Sequence, residues 1–456
     1  MTMAGVRHQK PASAGRVAGR RGEASSQASS DETPVTCQGP DGAGRDLLTQ
    51  VLAKENMEAA WKRVKANKGK AGVDGMDITQ TQRYLVTAWP NIRDQLMAGT
   101  YRPSPVRRVG IPKPDGSERE LGIPTVTDRL IQQAMLQVLQ PLIDPTFSEH
   151  SHGFRPGRQA RDAILAAQQH VQDGFRIVVD VDLSKFFDRI NHDILIDRLG
   201  KRVNDAGIIR LVRAYLNAGI MDKGLFAQRE EGTPQGGPIS PLLANVLLDE
   251  VDRELERRGH RFVRYADDSN VYVRSLRAGE RVMALLKRIY TKLHLQINES
   301  KSAVASAFGR KFLGYTLWLQ AKCKVMRAVS DKALSTFQWK IKRITRRSGG
   351  RSIRDVIDEL RGYVLGWKAY FKLAQTPRVW LRLDEWMRHR MRAIQLKQWR
   401  RASTTYRELL KLGVHWKVAR AVASKCGHWW RGSGSSAANC ALNIAHFDRL
   451  RMPRLT

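Results

Sequence analysis

Residues 262–273 read Phe-Val-Arg-Tyr-Ala-Asp-Asp-Ser-Asn-Val-Tyr-Val, two β-rich runs hinged on an adjacent pair of aspartates, Asp267 and Asp268. Aromatic and β-branched residues on both sides of a short polar break predict a hairpin with both carboxylates projecting from its tip. Adjacent like charges raise each other's energy unless a cation lies between them. Such a tip is either a solvated turn without a ligand or one arm of a divalent-cation site, and the local sequence leaves both open.

A second acidic segment sits upstream. Arg176-Ile-Val-Val-Asp180-Val-Asp182-Leu183 alternates as a strand, with Val178, Asp180 and Asp182 on one face and Ile177, Val179, Val181 and Leu183 on the other. Aspartate suits strand interiors poorly, so this is a strand end in water or a source of ligands for a hard cation. Mg²⁺ takes one or two carboxylates plus substrate phosphates, and two ions about 4 Å apart activate an attacking oxygen and stabilise a leaving one. Asp182 with Asp267 and Asp268 would supply that clamp.

Charge narrows the partner. The chain has 78 Lys+Arg against 44 Asp+Glu, a net charge of +34, so its surface accumulates polyanions. That leaves nucleic acid or an anionic membrane, and membrane is the weaker choice. No apolar run approaches the roughly 20 residues needed to span a bilayer, and the N-terminus lacks the apolar stretch of a secretory signal. A soluble, intracellular protein is expected, and a hydrophobic content of 42% excludes wholesale disorder. Cys37, Cys323, Cys426 and Cys440 form no C-x-x-C pair, so neither a disulfide framework nor a zinc ribbon is indicated. Cys426, His428, Cys440 and His446 match no common zinc spacing.

Along the chain, residues 1–45 are rich in Gly, Ala, Ser and Arg and read as a disordered basic arm. The composition also suits a transit peptide, but no amphipathic stripe is visible. Met57, Ala60, Trp61 and Val64 predict a first helix, and residues 106–123 a hairpin around Pro112-Lys113-Pro114-Asp115-Gly116. From residue 331 to 456 there are 28 Lys+Arg against 8 Asp+Glu and eight of the eleven tryptophans, which marks a separate basic helical domain. Within it Ser352 and Asp355 form a capping box ahead of a stripe of Ile353, Ile357, Leu360, Val364, Trp367 and Phe371.

These segments together are specific. Tyr265-Ala266-Asp267-Asp268, combined with Asp182-Leu-Ser-Lys-Phe186-Phe187-Asp188 starting 85 residues before Asp267, resembles the catalytic palm of reverse transcriptases. Ile111-Pro-Lys-Pro-Asp-Gly with Arg119-Glu-Leu-Gly-Ile-Pro124, Ser151-His-Gly-Phe-Arg-Pro-Gly157, Gly232-Thr-Pro-Gln-Gly-Gly-Pro and Phe312-Leu-Gly-Tyr315 follow in the order seen in group II intron reverse transcriptase-maturases. The resemblance runs from about residue 46 to the last residue. It implies an α+β fold: a right-hand polymerase with fingers and palm on antiparallel sheet over 46–325, then an α-helical thumb or maturase domain over 326–420 and a basic nucleic-acid-binding tail over 421–456.

The resemblance also implies residue roles. Asp182, Asp267 and Asp268 would hold two Mg²⁺ ions, Asp268 most peripherally, while Asp180 has no assigned part. Lys113 and Arg119 on the fingers hairpin would grip the dNTP triphosphate, with Arg able to do so bidentately. Phe187 would sit under the sugar and exclude a 2′-hydroxyl, Phe186 being core. Gln235, in a glycine and proline loop ahead of a helix expected to be capped by Ser240, would touch the templating base pair and nucleotide. Lys301 would neutralise or protonate the leaving pyrophosphate.

The implied activity is RNA-directed DNA polymerisation together with binding of the intron RNA to assist splicing and mobility. The implied partners are intron RNA, an RNA template with DNA primer, dNTP and target DNA, with no membrane. The implied location is the bacterial cytoplasm or nucleoid, an organelle being the alternative. Competing readings are a splicing-only maturase, an RNA-dependent RNA polymerase, which Phe187 opposes, and a retron-like or other non-intron reverse transcriptase, which the long basic C-terminal region disfavours. The residues after Trp430 lack the paired Cys and His of an H-N-H endonuclease, so DNA cleavage is not expected, and the primer would come from another source.

Overall fold

In a computed structural model the described residues are 47–112, 118–222, 225–227, 231–347, 349–425 and 427–456. The arm expected over 1–45 lies outside them. Residues 45–456 form one compact unit.

Its strands follow the apolar alternation. β1 (Val106–Pro112) and β2 (Glu118–Ile123) make the first hairpin, and β3 (Ile177–Val181) is the acidic strand. The short β4 (Ile220–Asp222) and β5 (Leu225–Ala227) come next, then the hairpin β6 (Arg261–Tyr265) and β7 (Asp268–Val273). β8 (Ala303–Ser306), β9 (Lys311–Phe312), β10 (Tyr315–Gln320) and β11 (Lys324–Val329) complete the set. They build three sheets ordered β2-β1-β4-β5, β6-β7-β3-β8 and β11-β10-β9. The second, wholly antiparallel, carries both acidic segments.

Two long helices share a core with one face of that sheet. Helix Val126–Ile143 buries Leu130, Ile131, Ala134, Met135 and Leu139, and helix Ser240–Arg257 buries Leu243, Leu247, Val251 and Leu255 at the four-residue interval seen in its sequence. The faces of β3 feed different cores. Val179 and Val181 join these helices, while Val178 packs with Val263, Tyr272 and Phe312.

The basic region is helical. The capping box of Ser352 and Asp355 is formed, and Ile357, Leu360, Val364, Trp367 and Phe371 of helix Ile353–Phe371 are buried against Phe337, Ile341 and Met387. Phe447, Met452 and Leu455 enter the same core, so residues 421–456 pack as part of the helical layer. Asp384 receives the amides of Leu455 and Thr456 at 2.9 and 3.0 Å. The third sheet ties the halves together. Tyr315 donates to the Tyr370 carbonyl at 2.7 Å, and Gln168 to the Val325 carbonyl at 2.6 Å.

Candidate active site

Register decides which acids meet. In the β3–β7 ladder Asp180 pairs with Asn270 and Val181 with Ser269; the ladder ends there, and continuing its register points Asp182 toward Asp268, whose carboxyl feels the Asp182 charge. Tyr265 pairs with Asp268 across the hairpin, which leaves Ala266 and Asp267 as the turn. Ala266 has φ 59°, a left-handed backbone that costs a residue with a Cβ about 1–2 kcal/mol, so its surroundings must impose it.

The carboxylates share one field. Burial, then Asp180 and Asp267, and more weakly Asp182, push Asp268 up to about 7, with Lys311 opposing. Asp182 is more open. Its backbone is strapped to the 298–302 loop: Asn298 donates to its carbonyl at 2.8 Å, and its amide donates to Ser302 Oγ at 3.0 Å. That strap carries Lys301 Nζ to 3.6 Å from Asp182 Oδ2.

Asp180, expected on the same face as Asp182, is engaged elsewhere. Arg310 Nε donates to Asp180 Oδ2 at 2.9 Å, and Arg310 Nη2 to the Lys301 carbonyl at 3.0 Å. Burial raises the Asp180 carboxyl while Arg310 holds it down.

Phe187 lies on a short 3₁₀ turn, Phe186–Asp188. Phe186 is buried and Phe187 half-buried, their ring centroids 5.0 Å apart. The glycine and proline loop is bonded to that turn. The Thr233 amide donates to the Phe187 carbonyl at 2.7 Å, and a Cβ on Gly232 would fall 2.8 Å from the Asp188 carbonyl oxygen. Gln235 accepts the Gly122 amide at 3.0 Å, so the same loop reaches the β1–β2 hairpin. Ser240 is not the helix cap: Ile239 is, Ser240 is the first helical residue, and its hydroxyl donates to the Pro234 carbonyl at 2.9 Å, fixing the loop instead. Lys113 lies outside the described residues, and Arg119 is described only as a backbone position on β2 paired with Ile111.

Among the described residues, no three His, Cys, Asp or Glu side chains enclose an ion by themselves. The donor set still fits a hard divalent cation. Mg²⁺ is commonly held by one or two carboxylates with substrate phosphates completing its shell, and an acid pushed up to about 7 by burial and then by neighbouring acids is relieved by positive charge.

Comparison with known proteins follows the same division. Residues 111–317 match the family described as reverse transcriptase (RNA-dependent DNA polymerase), and residues 334–413 the group II intron, maturase-specific domain. The chain carries a reverse transcriptase domain followed by a group II intron maturase-specific domain. Protein YkfC of Escherichia coli K12 is 39% identical over 218 residues, 46% of this chain and 57% of that protein. The group II intron-encoded protein LtrA of Lactococcus lactis is 35% identical over 208 residues, 45% of this chain and 34% of that one. A putative COX1/OXI3 intron 1 protein of Saccharomyces cerevisiae is 32% identical over 219 residues, 46% of this chain and 25% of that one. The matched part spans between a quarter and just over half the length of these relatives.

The reverse transcriptase domain contains every expected site residue, from Lys113 to Lys301. Such domains depend on divalent cations. No helix among the described residues is long and apolar enough to cross a membrane. Sequence reasoning missed the residues that hold these acids in place: Arg310, Ser302, Gly153 and the buried Arg264, Asn245 and Asp252. One signal was available, an arginine at position 264 directly after the apolar pair Phe262-Val263, where the strand alternation predicts burial for one face.

Proposed function

We propose that this chain is an RNA-directed DNA polymerase that adds dNTPs to a primer 3′-hydroxyl and binds intron RNA to assist splicing and mobility. The observation that carries the reading is the meeting of the 267–268 hairpin tip with the Asp182 end of β3, flanked by Lys301. Two Mg²⁺ ions bound by Asp182, Asp267 and Asp268 would lower the pKa of the attacking hydroxyl and brace the pyrophosphate.

The chain's own residues do the rest. Phe187 would lie under the sugar, where its ring would clash with a ribose 2′-hydroxyl and so select deoxynucleotides. Gln235 and its loop position the nucleotide against the template, which requires the close backbone approach that glycines 236 and 237 allow. Lys301 neutralises or protonates pyrophosphate as it leaves, and Lys113 and Arg119 grip the triphosphate from the fingers hairpin. The domains are fingers and palm over 46–325, thumb over 326–420 and a nucleic-acid-binding tail over 421–456. Partners are intron RNA, RNA template with DNA primer, and target DNA, in a bacterial cytoplasm or nucleoid.

The deciding assay is primer extension on an RNA template with Mg²⁺, comparing dNTPs with NTPs and wild type with Asp267→Ala. DNA synthesis that survives the substitution removes the polymerase assignment. Splicing assistance that survives it separates the two functions.

A further inference from the structure

We propose that Arg264, with Asp252 and Asn245, is a buried positioning device that sets the conformation of the turn bearing Asp267 and so tunes the cation affinity of the site.

Arg264 is 1% exposed, among the largest fully buried side chains, and its strand neighbours Val263 and Phe262 are apolar core. Its guanidinium is divided by direction. Nε donates to both Asp252 oxygens at 2.8 and 3.0 Å, and Nη2 to Asp252 Oδ2 at 2.6 Å. Nη1 turns the other way, to Asn245 Oδ1 at 2.8 Å and to the Ala266 carbonyl at 2.9 Å. Asn245 then donates from Nδ2 to the Gly153 carbonyl at 2.9 Å. Gly153 is the residue whose Cβ would fall 2.1 Å from the Ala266 nitrogen. One network therefore holds the carbonyl of the left-handed residue and the backbone wall pressed against its amide.

Stability alone does not account for this network. A fully desolvated ion pair is commonly matched or exceeded by apolar residues of the same volume, so its energetic return on folding is small. What the planar fork supplies is direction: it binds a carboxylate on helix Ser240–Arg257 and a turn carbonyl on the opposite side at fixed angles, which a lysine point charge cannot do. The turn so held is the one that aims Asp267. The inference rests on the polymerase reading for its kinetic arm only.

The test uses the full chain. Mn²⁺ binding is measured by electron paramagnetic resonance without nucleic acid, alongside kcat and KM for dNTP in primer extension, for wild type and Arg264→Lys. The variant is expected to remain folded by thermal melt, to bind Mn²⁺ about tenfold more weakly, and to lose about 10- to 100-fold in kcat with KM for dNTP within about twofold. A folded Arg264→Lys with wild-type Mn²⁺ affinity and kcat overturns the proposal. If that variant does not fold, Gly153→Ala decides, because it pushes on the Ala266 amide without touching the ion pair: the same fall in Mn²⁺ affinity supports the proposal and an unchanged affinity overturns it. Wild type that binds Mn²⁺ but makes no DNA removes the polymerase reading and leaves the binding comparison to decide this one.

Discussion

Arg310 pairs with Asp180 at 2.9 Å and with the Lys301 carbonyl at 3.0 Å, so the acid two residues before Asp182 has a cation partner of its own, although its charge still reaches Asp268. Asp180→Asn is therefore expected to keep DNA synthesis within about threefold, whereas Asp182→Asn and Asp267→Asn lose at least about 10³-fold. Arg310→Ala leaves a largely buried carboxylate without its cation and should lower stability by about 1–3 kcal/mol. Single-turnover extension and urea denaturation read the two effects.

Phe187 is half-buried on the turn that the glycine loop clasps. Truncating its ring in Phe187→Ala is expected to raise the kcat/KM for NTPs relative to dNTPs by roughly 10- to 200-fold, as removal of a steric discriminator does. An unchanged ratio would leave sugar selection to other residues.

His152 is buried, and burial, with Arg158 adding to it, lowers its imidazole to about 4 from an ordinary 6.5. Between those values the unfolded chain takes up a proton that the folded chain refuses. Its contribution to stability is thus complete above pH 6.5 and is lost as pH falls toward 4. Lowering the pH from 7.5 to 5 should cost wild type about 2 kcal/mol more than His152→Gln, measured by urea midpoints at the two pH values.

The helical layer carries cations over indole rings: Arg343 lies 5.3 Å from Trp339, Arg390 5.4 Å from Trp386 and Arg347 5.6 Å from the exposed Trp430. Binding of structured RNA is expected to weaken steeply with salt, through release of counterions. Trp430→Ala should weaken it by about 1–3 kcal/mol if a base stacks there, without changing the salt slope. Filter binding across a salt series separates the two contributions, and affinity independent of salt would refute phosphate contact.

The alternation around Asp180 and Asp182, the acidic hairpin, the capped stripe from Ser352 to Phe371 and the excess of cations after residue 331 are all legible in the order of residues alone. The first three are short-range patterns, set by side-chain direction along one strand or helix, and the last is composition. The residue order also places Ser240 at the helix start, but the cap role expected of its hydroxyl is not the one it takes, since it donates to the Pro234 carbonyl. Long-range packing settled that the Asp182 end of β3 approaches Asp268, that Arg310 pairs with Asp180, and that Arg264 reaches past its own strand to Asp252 and Ala266. Register between distant strands and the pairing of buried charge are long-range choices, made by which surfaces close on one another and invisible in the spacing of any one segment.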